Sequence, residues 1–151
     1  MTNIPDNSVF FVDSTPTDFL TIEKLNPFEI SNISIVKSEK NLSLNQENEC
    51  SIYITTVSFA KRHYWSFFRE KSKQYKDIVL TPNGDSVIKY ILNGKLLSDT
   101  SAGSLFLINN LVLKKIKVIS KEKLIRRYHE TNKNYGVIVK TKRVKGLVKV
   151  K

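Results

Sequence analysis

The chain of 151 residues is poor in the residues that usually form catalytic or metal sites, with one cysteine, two histidines and five glycines. The single cysteine, Cys50, excludes an intramolecular disulfide, and neither His63 nor His129 has a second ligand at metal-binding spacing. The glycines form no phosphate-binding or dinucleotide-binding loop, and no G-x-S-x-G nucleophile motif occurs. We therefore expect no catalytic residue, no metal, no cofactor and a non-enzymatic role. An enzyme would require a concave site in which His63, His129 or Cys50 lies beside a polar group.

Long hydrophobic runs are also missing. No stretch of about 18 consecutive apolar residues occurs, which argues against a membrane-spanning helix. Residues 1–6 have neither the basic region nor the apolar region of a secretory signal. We therefore expect a cytoplasmic protein, or a periplasmic one if a leader was removed. The 40% of hydrophobic residues suffices for a folded core.

Acidic residues are scarce in the second part of the chain, and the charge is divided unevenly. Residues 1–58 contain three lysines against eight acidic residues, a net charge of −5. Residues 59–151 contain 22 basic residues against six acidic ones, a net charge of +16. This asymmetry indicates an acidic protein partner, nucleic acid, or an acidic face of the protein itself. Opposite charges would also allow head-to-tail self-association, closed as a ring or continued as a filament.

What the sequence does contain is an internal repeat of three strand-like patterns. The repeated pairs are Phe10–Ser14 with Tyr90–Gly94, Ile30–Lys37 with Leu113–Ser120, and Ser51–Thr56 with Gly136–Thr141. The offsets between the copies are 80, 83 and 85 residues, so the patterns keep their order with small insertions between them. A repeat of this kind predicts two copies of one structural unit.

Hydrophobic periodicity and turn residues predict the elements of each unit. The first unit reads as a strand over 9–12, a short helix over 22–25 capped by Asp18 or Thr21, a strand around Ile33 and Ile35, and a strand over 52–57. The second reads as a strand over 89–92, an Asn93-Gly94 turn, a short helix or strand over 105–108, a strand over 111–119, a helix over 121–128 and a strand over 136–141. The tail 146–151 alternates and is predicted as an added edge strand.

A helix is predicted between the units, over residues 60–78. Its aromatic residues recur at helical spacing on one face, a candidate packing or partner face. They are Tyr64, Trp65, Phe67, Phe68 and Tyr75. The spacing favours core packing between the two units, and the alternative is a surface on which nucleic-acid bases stack.

The repeated motifs resemble the plug domain of TonB-dependent outer-membrane receptors of the Bacteroidota type. That plug reads approximately Y-V-I-D-G, then I-x-S-I-x-V-L-K, then Y-G-x-x-G-x-N-G-V-I-I-I-T-T-K. The segments that carry the resemblance are Tyr90–Gly94, Leu113–Ile119 and Tyr128–Lys142 in the second unit, and Phe10–Ser14, Leu25–Lys37 and Ile52–Thr56 in the first. The glycine-rich loop of the family is absent at 46–50 and reduced at 131–134, and no series of long alternating strands for a β-barrel follows.

The resemblance implies an α+β fold that is used outside transport. It would consist of two plug-like β-α-β-(α)-β halves with small mixed sheets, joined by the aromatic-faced helix. We expect an acidic unit over 1–58, a linking helix and turn over 59–85, and a basic unit over 86–151, together forming one compact domain.

Basic residues of the last third form the candidate interaction surface. They are Lys114, Lys115, Lys117, Lys121, Lys123, Arg126, Arg127, Lys140, Lys142 and Arg143. Strand alternation places Lys115 and Lys117 on the same face of the sheet, and it does the same for the pair Lys140 and Lys142. We predict a protein–protein interaction module or structural subunit of a larger bacterial assembly, which binds another protein or itself through strand edges or its basic half. The alternatives are a nucleic-acid-binding protein, in which these residues contact phosphates, and a small immunity or inhibitor protein.

Overall fold

The structure is a computed structural model that describes residues 7–37 and 50–142. The chain forms two compact units, Met1–Ala60 and Lys61–Lys151. Each unit contains a four-stranded mixed sheet with short helices, which confirms the predicted α+β fold with two halves. The predicted strand over 146–151 and Arg143 lie outside the described residues.

Unit 1 is a small sheet with one short helix and the start of a longer one. Its elements are β1 (Val9–Val12), β2 (Thr15–Thr17), α1 (Phe19–Glu23), β3 (Ile30–Lys37), β4 (Cys50–Thr56) and the start of α2 (Val57–Lys71). The strand order is β2-β1-β4-β3, with β1 and β4 parallel and the other pairs antiparallel. Helix α1 begins three residues before the predicted position because Asp18 caps it, its Oδ1 accepting from the Thr21 amide at 2.8 Å. The Thr21 hydroxyl also donates to Asp18 Oδ1, and the two hydrogen bonds lower the pKa of the Asp18 carboxyl.

Unit 2 repeats this arrangement with more helix. Its further elements are α3 (Lys73–Ile78), β5 (Ile88–Leu92), β6 (Lys95–Leu96), α4 (Ala102–Phe106), β7 (Leu113–Ser120), α5 (Lys121–Tyr128) and β8 (Tyr135–Thr141). The strand order is β6-β5-β8-β7, with β5 and β8 parallel and the other pairs antiparallel. The predicted helix over 121–128 is confirmed. The segment 105–108, predicted as either a short helix or a strand, begins in the last two residues of helix α4 and continues beyond its end.

The prediction of one helix over 60–78 was wrong in its extent. Helix α2 begins at Val57, because the Thr56 hydroxyl accepts from the Phe59 amide at 3.3 Å, and it ends at Lys71. Ser72 has extended backbone, and its hydroxyl accepts from the Tyr75 amide at 3.2 Å, so it caps a separate helix α3. Serine competes for backbone hydrogen bonds within a helix and is favoured at helix starts, which explains the break.

The two sheets share their pairing register as well as their strand order. Val9 pairs with Ser51 in unit 1, and Lys89 pairs with Gly136 in unit 2, offsets of 80 and 85 residues. Ile33 pairs with Ile54, and Ile116 with Val139, offsets of 83 and 85. A register shift interrupts the last pair of strands at the same place in both units, between Ile30 and Asn32 and between Leu113 and Lys115. The offsets found in the sequence are therefore the offsets of paired residues in the two sheets.

The turn after the first strand of each unit is also repeated, down to its hydrogen bonds. Asp13 has a φ of 50° and accepts from the Thr56 amide at 2.8 Å through Oδ1. Asn93 has the same φ and accepts from the Thr141 amide at 2.9 Å through Oδ1. A two-residue hairpin turn of this type requires positive φ at both central positions. The next residue is Gly94 in unit 2 but Ser14 in unit 1, where the left-handed conformation costs about 1 kcal/mol more than for glycine.

Helix α5 covers one face of the unit 2 sheet at very short distance. Leu124 on this helix is buried with Ile91, Ile119 and Ile138 of the sheet. A Cβ atom on Gly136 would lie 3.0 Å from Cδ1 of Leu124 on the helix and 2.7 Å from Cγ1 of Ile119 on the next strand. This sheet position therefore admits only glycine without displacement of core side chains. Leu124 and Tyr128 contribute to this core as predicted from their spacing, whereas Ile125 remains exposed.

Candidate interaction surfaces

Strand β3 is an edge of the unit 1 sheet, and its own residues 30–37 carry few of the features that usually protect an edge from further pairing. Edge strands of soluble proteins are normally short, contain proline or carry lysines, because their free backbone groups would otherwise pair with another chain. Strand β2 has three residues including Pro16, β6 has two residues, and β7 carries Lys114, Lys115 and Lys117. Strand β3 has eight residues, without proline and with one charge, Lys37, at its end.

Strand β3 exposes apolar side chains on both faces of the sheet. Ile33 and Ile35 are each 61% exposed, although they pair with the buried residues Ile54 and Ile52 of β4. Val36, on the opposite face, is 52% exposed. Because isolated apolar side chains gain by burial, this strand is suited to accept another strand.

Strand β7 occupies the same position in unit 2, but it is protected. By the 83-residue offset, Ser34 of β3 corresponds to Lys117 of β7, and Asn32 corresponds to Lys115. Both lysines are exposed. The two copies of the repeat therefore present one apolar and one basic sheet edge.

The basic residues predicted as an interaction surface are exposed in unit 2, apart from Arg143, which lies outside the described residues. Lys115 pairs with Lys140 across β7 and β8, and Lys117 follows on the same sheet face. Lys142 lies just beyond the end of β8. Of the remaining members, Lys114 lies on β7. The others lie on α5: Lys121, Lys123, Arg126 and Arg127. Like charges directly opposite each other destabilise a sheet, so this surface favours an anionic partner.

An open groove adjoins this surface and adds a further lysine. It has a volume of about 340 Å³ and is lined by Lys71, Asn110, Lys114 and Lys115, with Leu113 and Ile116. No acidic side chain lines it among the described residues. The groove therefore extends the basic surface from β7 to the end of α2.

The aromatic face of α2 and α3 lies mainly in the core. Tyr64, Phe68 and Tyr75 are buried within unit 2, and Trp65 and Phe67 are half-buried. The Trp65 indole donates to the carbonyl of Val79 at 2.9 Å. Since a base-stacking surface requires exposed rings, the buried members cannot supply one.

Sequence reasoning missed a buried carboxylate in the core of unit 2. Asp85 is 6% exposed, and its Oδ2 accepts from the hydroxyls of Tyr64 at 2.5 Å and Tyr90 at 3.1 Å. The hydroxyls of Tyr75 and Tyr90 are hydrogen-bonded at 2.8 Å, and the Lys61 ammonium lies 3.6 Å from Asp85 Oδ1. The available signal was tyrosine, not phenylalanine, at three core positions, since a buried tyrosine hydroxyl needs a partner.

Burial and the neighbouring carboxylate keep these tyrosines protonated. Burial is the main cause that raises the pKa of Tyr64, Tyr75 and Tyr90 well above the ordinary value of 10.0. The negative charge of Asp85 raises all three pKa values further. The cluster is therefore a structural hydrogen-bond network, in which the hydroxyls of Tyr64 and Tyr90 donate to Asp85 and that of Tyr75 donates to Tyr90.

A cavity of about 180 Å³ lies beside this cluster within unit 2. Its charged lining residues are paired: Lys61 faces Asp85 at 3.6 Å, and Lys133 faces Asp99 at 3.3 Å. Lys133 also donates to the carbonyl of Ser86 at 2.8 Å. The charged groups that line the cavity are therefore paired with each other.

Neither the two histidines nor the cysteine is among the residues that line this cavity. His63 is exposed and contacts the Phe106 ring at 4.8 Å, and His129 is exposed at the left-handed end of α5. Cys50 is buried in β4 of unit 1. Within residues 7–37 and 50–142, no group of three potential metal ligands occurs.

No helix in the described part of the chain is both long and apolar enough to cross a membrane. No family model, curated protein or solved structure matches this chain.

Proposed function

We propose that this protein is a non-enzymatic interaction module, a structural subunit of a larger bacterial assembly, that recruits its partner by strand addition at β3. The observation that carries the proposal is that the edge strand of unit 1 is apolar and exposed, whereas the equivalent strand of unit 2 carries lysines. The proposal includes a cytoplasmic location. The plug-like ancestry suggested by the motifs remains a hypothesis about origin.

Strand addition would give the exposed isoleucines of this edge a role in binding. Main-chain hydrogen bonds to an added strand supply affinity, and the alternating side chains on the two faces supply specificity. Ile33 and Ile35 would contact one face of the added strand, and Val36 the other. Lysine at these positions would stop pairing at small cost to the fold, because the side chains are exposed.

The proposal is tested by placing lysines at two exposed positions of β3. We expect the double variant Ser34→Lys, Ile35→Lys to lose binding of its partners by about tenfold or more. Lysines resist burial between two strands, so pairing at this edge fails. The tagged protein is incubated with extract of its native host, and the recovered partners are quantified by mass spectrometry.

The matched control is the double variant Ser34→Thr, Ile35→Val, which keeps the polar and apolar pattern and favours strand structure. We expect it to recover the same partners as the original chain. Circular dichroism shows whether each variant is folded. Equal recovery by the folded lysine variant would refute strand addition at β3.

A second candidate function, nucleic-acid binding, is favoured by the row of Lys115, Lys117 and Lys140 on one sheet face and by the adjoining lysine-lined groove. Phosphate contacts predict an affinity that falls steeply with salt. We expect a test with mixed DNA and RNA, titrated from about 50 mM salt upward, to decide this candidate. Absence of binding at about 50 mM salt would eliminate it.

A further inference from the structure

The direction of the backbone groups along β3 decides what this edge pairs with. The Asp13 amide, just after β1, donates to the carbonyl of Ile54 at 2.9 Å, so Ile54 turns its backbone groups toward β1. Ile33 lies opposite Ile54, and it therefore turns its own N–H and C=O to the free edge. Because this direction alternates along a strand, Ile35 also offers its backbone groups to a partner, whereas Ser34 turns its groups toward β4.

The residues around Ser34 are complementary to themselves in an antiparallel arrangement. Ile33 and Ile35 flank Ser34, and their side chains share one face of the sheet. If two β3 strands meet about a two-fold axis at Ser34, Ile33 of one copy lies opposite Ile35 of the other. Both residues offer their N–H and C=O at the free edge, so each of these two pairs exchanges two backbone hydrogen bonds.

The other side chains of β3 also fit this register. Ser34 lies opposite Ser34 of the other copy, and hydroxyl pairs of this kind stabilise neighbouring strands. Val36 falls opposite Asn32, and Lys37 falls opposite Ser31, so no two like charges meet across the contact. The antiparallel pairing of β3 with itself therefore contains no electrostatic conflict between opposed residues.

The neighbouring symmetric registers are less favourable. An axis at Ile35 would set Ile33 opposite Lys37, so an apolar side chain would face an ammonium. An axis at Ile33 would set Ile35 opposite Ser31, which lies in the register shift of β3 between residues 30 and 32. An axis between two residues would oppose groups that point to the free edge and groups that point to β4. The axis at Ser34 is therefore the one that pairs every Ile33 with an Ile35.

The other edges of the two sheets are less suited to pairing. Strand β2 has three residues with Pro16 among them, β6 has two residues, and β7 carries lysines. A contact that uses the same strand of both copies closes on itself. Pairing through β3 thus leaves no long apolar edge among the described strands.

We infer that the partner recruited at β3 is a second copy of this chain, bound through its own β3 in antiparallel orientation about a two-fold axis at Ser34. This inference rests on the proposed function and names its partner. The two four-stranded sheets become one continuous sheet that ends at β2 of each copy. Ile33 and Ile35, each 61% exposed in the single chain, cover each other across the contact.

Charge opposes this contact and gives it a distinctive salt dependence. Each chain has a net charge of +11, and residues 1–58 alone have a net charge of −5, so two copies repel each other on either count. Salt screens this repulsion, while the burial of isoleucine side chains does not depend on charge. We expect association at about 500 mM salt to be at least as strong as at about 50 mM, whereas a contact with nucleic-acid phosphates weakens.

Cysteine cross-linking tests the position of the axis. Ser34 is exposed, and in this register its two copies form a pair without backbone hydrogen bonds, with Cα atoms about 4.5 Å apart. A disulfide spans this separation. With oxidised glutathione, we expect Ser34→Cys to form a disulfide-linked dimer about tenfold or more faster than Val36→Cys.

Val36→Cys is the matched control because Val36 is exposed on the same face of β3. The two copies of Val36 lie four residues apart along the paired strands, a distance of about 13 Å that no disulfide spans. The original chain, whose cysteine Cys50 is buried, gives the background.

Sedimentation velocity of the reduced, nuclease-treated protein measures the strength of the contact. One strand from each copy forms a small interface, so protein is examined at up to about 1 mM. Ser34→Lys sets two lysines opposite each other at the axis and is expected to raise the dissociation constant about tenfold or more. Ser34→Thr keeps the hydroxyl and is expected to associate as the original chain does. Circular dichroism shows whether both variants are folded.

The outcomes separate this inference from the proposed function. An original chain that stays monomeric at about 1 mM and at both salt concentrations would overturn the pairing of two copies. Recovery of other proteins through β3 would then still support strand addition at this edge. Fast cross-linking of Val36→Cys without that of Ser34→Cys would overturn the axis at Ser34. Association that Ser34→Lys leaves unchanged would place the contact away from β3 and would overturn the inference as well.

Discussion

Replacement of Asp85 by alanine is expected to lower the free energy of unfolding by about 3 to 5 kcal/mol. The buried carboxylate accepts hydrogen bonds from Tyr64 and Tyr90 and lies 3.6 Å from the Lys61 ammonium. Its removal leaves two buried hydroxyls without their acceptor and a partly buried ammonium without its counter-charge. The measurement is denaturant unfolding followed by tyrosine and tryptophan fluorescence.

The matched control is Asp99→Ala in the same unit. Asp99 faces Lys133 at 3.3 Å, but its side chain is 71% exposed, so the pair is screened by solvent. We expect a change within about 0.5 kcal/mol for this variant. A loss below about 1 kcal/mol for Asp85→Ala would show that the network contributes little to the fold.

Raising the pH above about 10 is expected to destabilise unit 2 steeply. Tyr64, Tyr75 and Tyr90 have pKa values raised above the ordinary 10.0, mainly because burial disfavours the tyrosinate. Below pH 10 the folded and the unfolded chain both hold these protons, so the free energy of unfolding does not change with pH on their account. Above pH 10 the unfolded chain loses them while the folded chain keeps them, and stability falls. The three retained protons lower the free energy of unfolding by about 4 kcal/mol for each further pH unit.

The measurement is denaturant unfolding at a series of pH values from neutral to alkaline. Tyr90→Phe is expected to reduce the fall of the unfolding free energy per pH unit by about one third, because one of the three retained protons is removed. Ile138→Val serves as the control, since it lowers the stability of the same unit without removing a titrating group. An unchanged steepness in Tyr90→Phe would contradict the retention of its proton in the folded chain.

The sheets could be predicted from the sequence because their signals are local. Alternating Ile33 and Ile35, the Asn93-Gly94 turn and the three offsets of the repeat correspond to paired residues in the structure. The guard on β7 was also visible as lysines between apolar residues. What the sequence did not reveal was the difference in accessibility between the two edges, because exposure of Ile33 and Ile35 depends on what the rest of the chain covers.

The helix break and the buried carboxylate could not be predicted for a related reason. Ser72 lies within a helical spacing that continues to Tyr75, so the pattern predicts no break. Its extended backbone and its side-chain hydrogen bond to the Tyr75 amide show that a new helix begins there. Asp85 belongs to a stretch rich in turn residues, which favours an exposed position. Its burial follows from three tyrosines that come from separate elements and converge in the folded chain.

The most direct test of strand addition at β3 is backbone hydrogen exchange, measured for the free protein and for its complex or assembly. We expect amides of β3 to exchange about tenfold or more slowly after association, because an added strand accepts hydrogen bonds from the free edge. Amides of the short edge strand β2 should exchange as before. Unchanged exchange in β3, in a complex whose other segments become protected, would contradict the account.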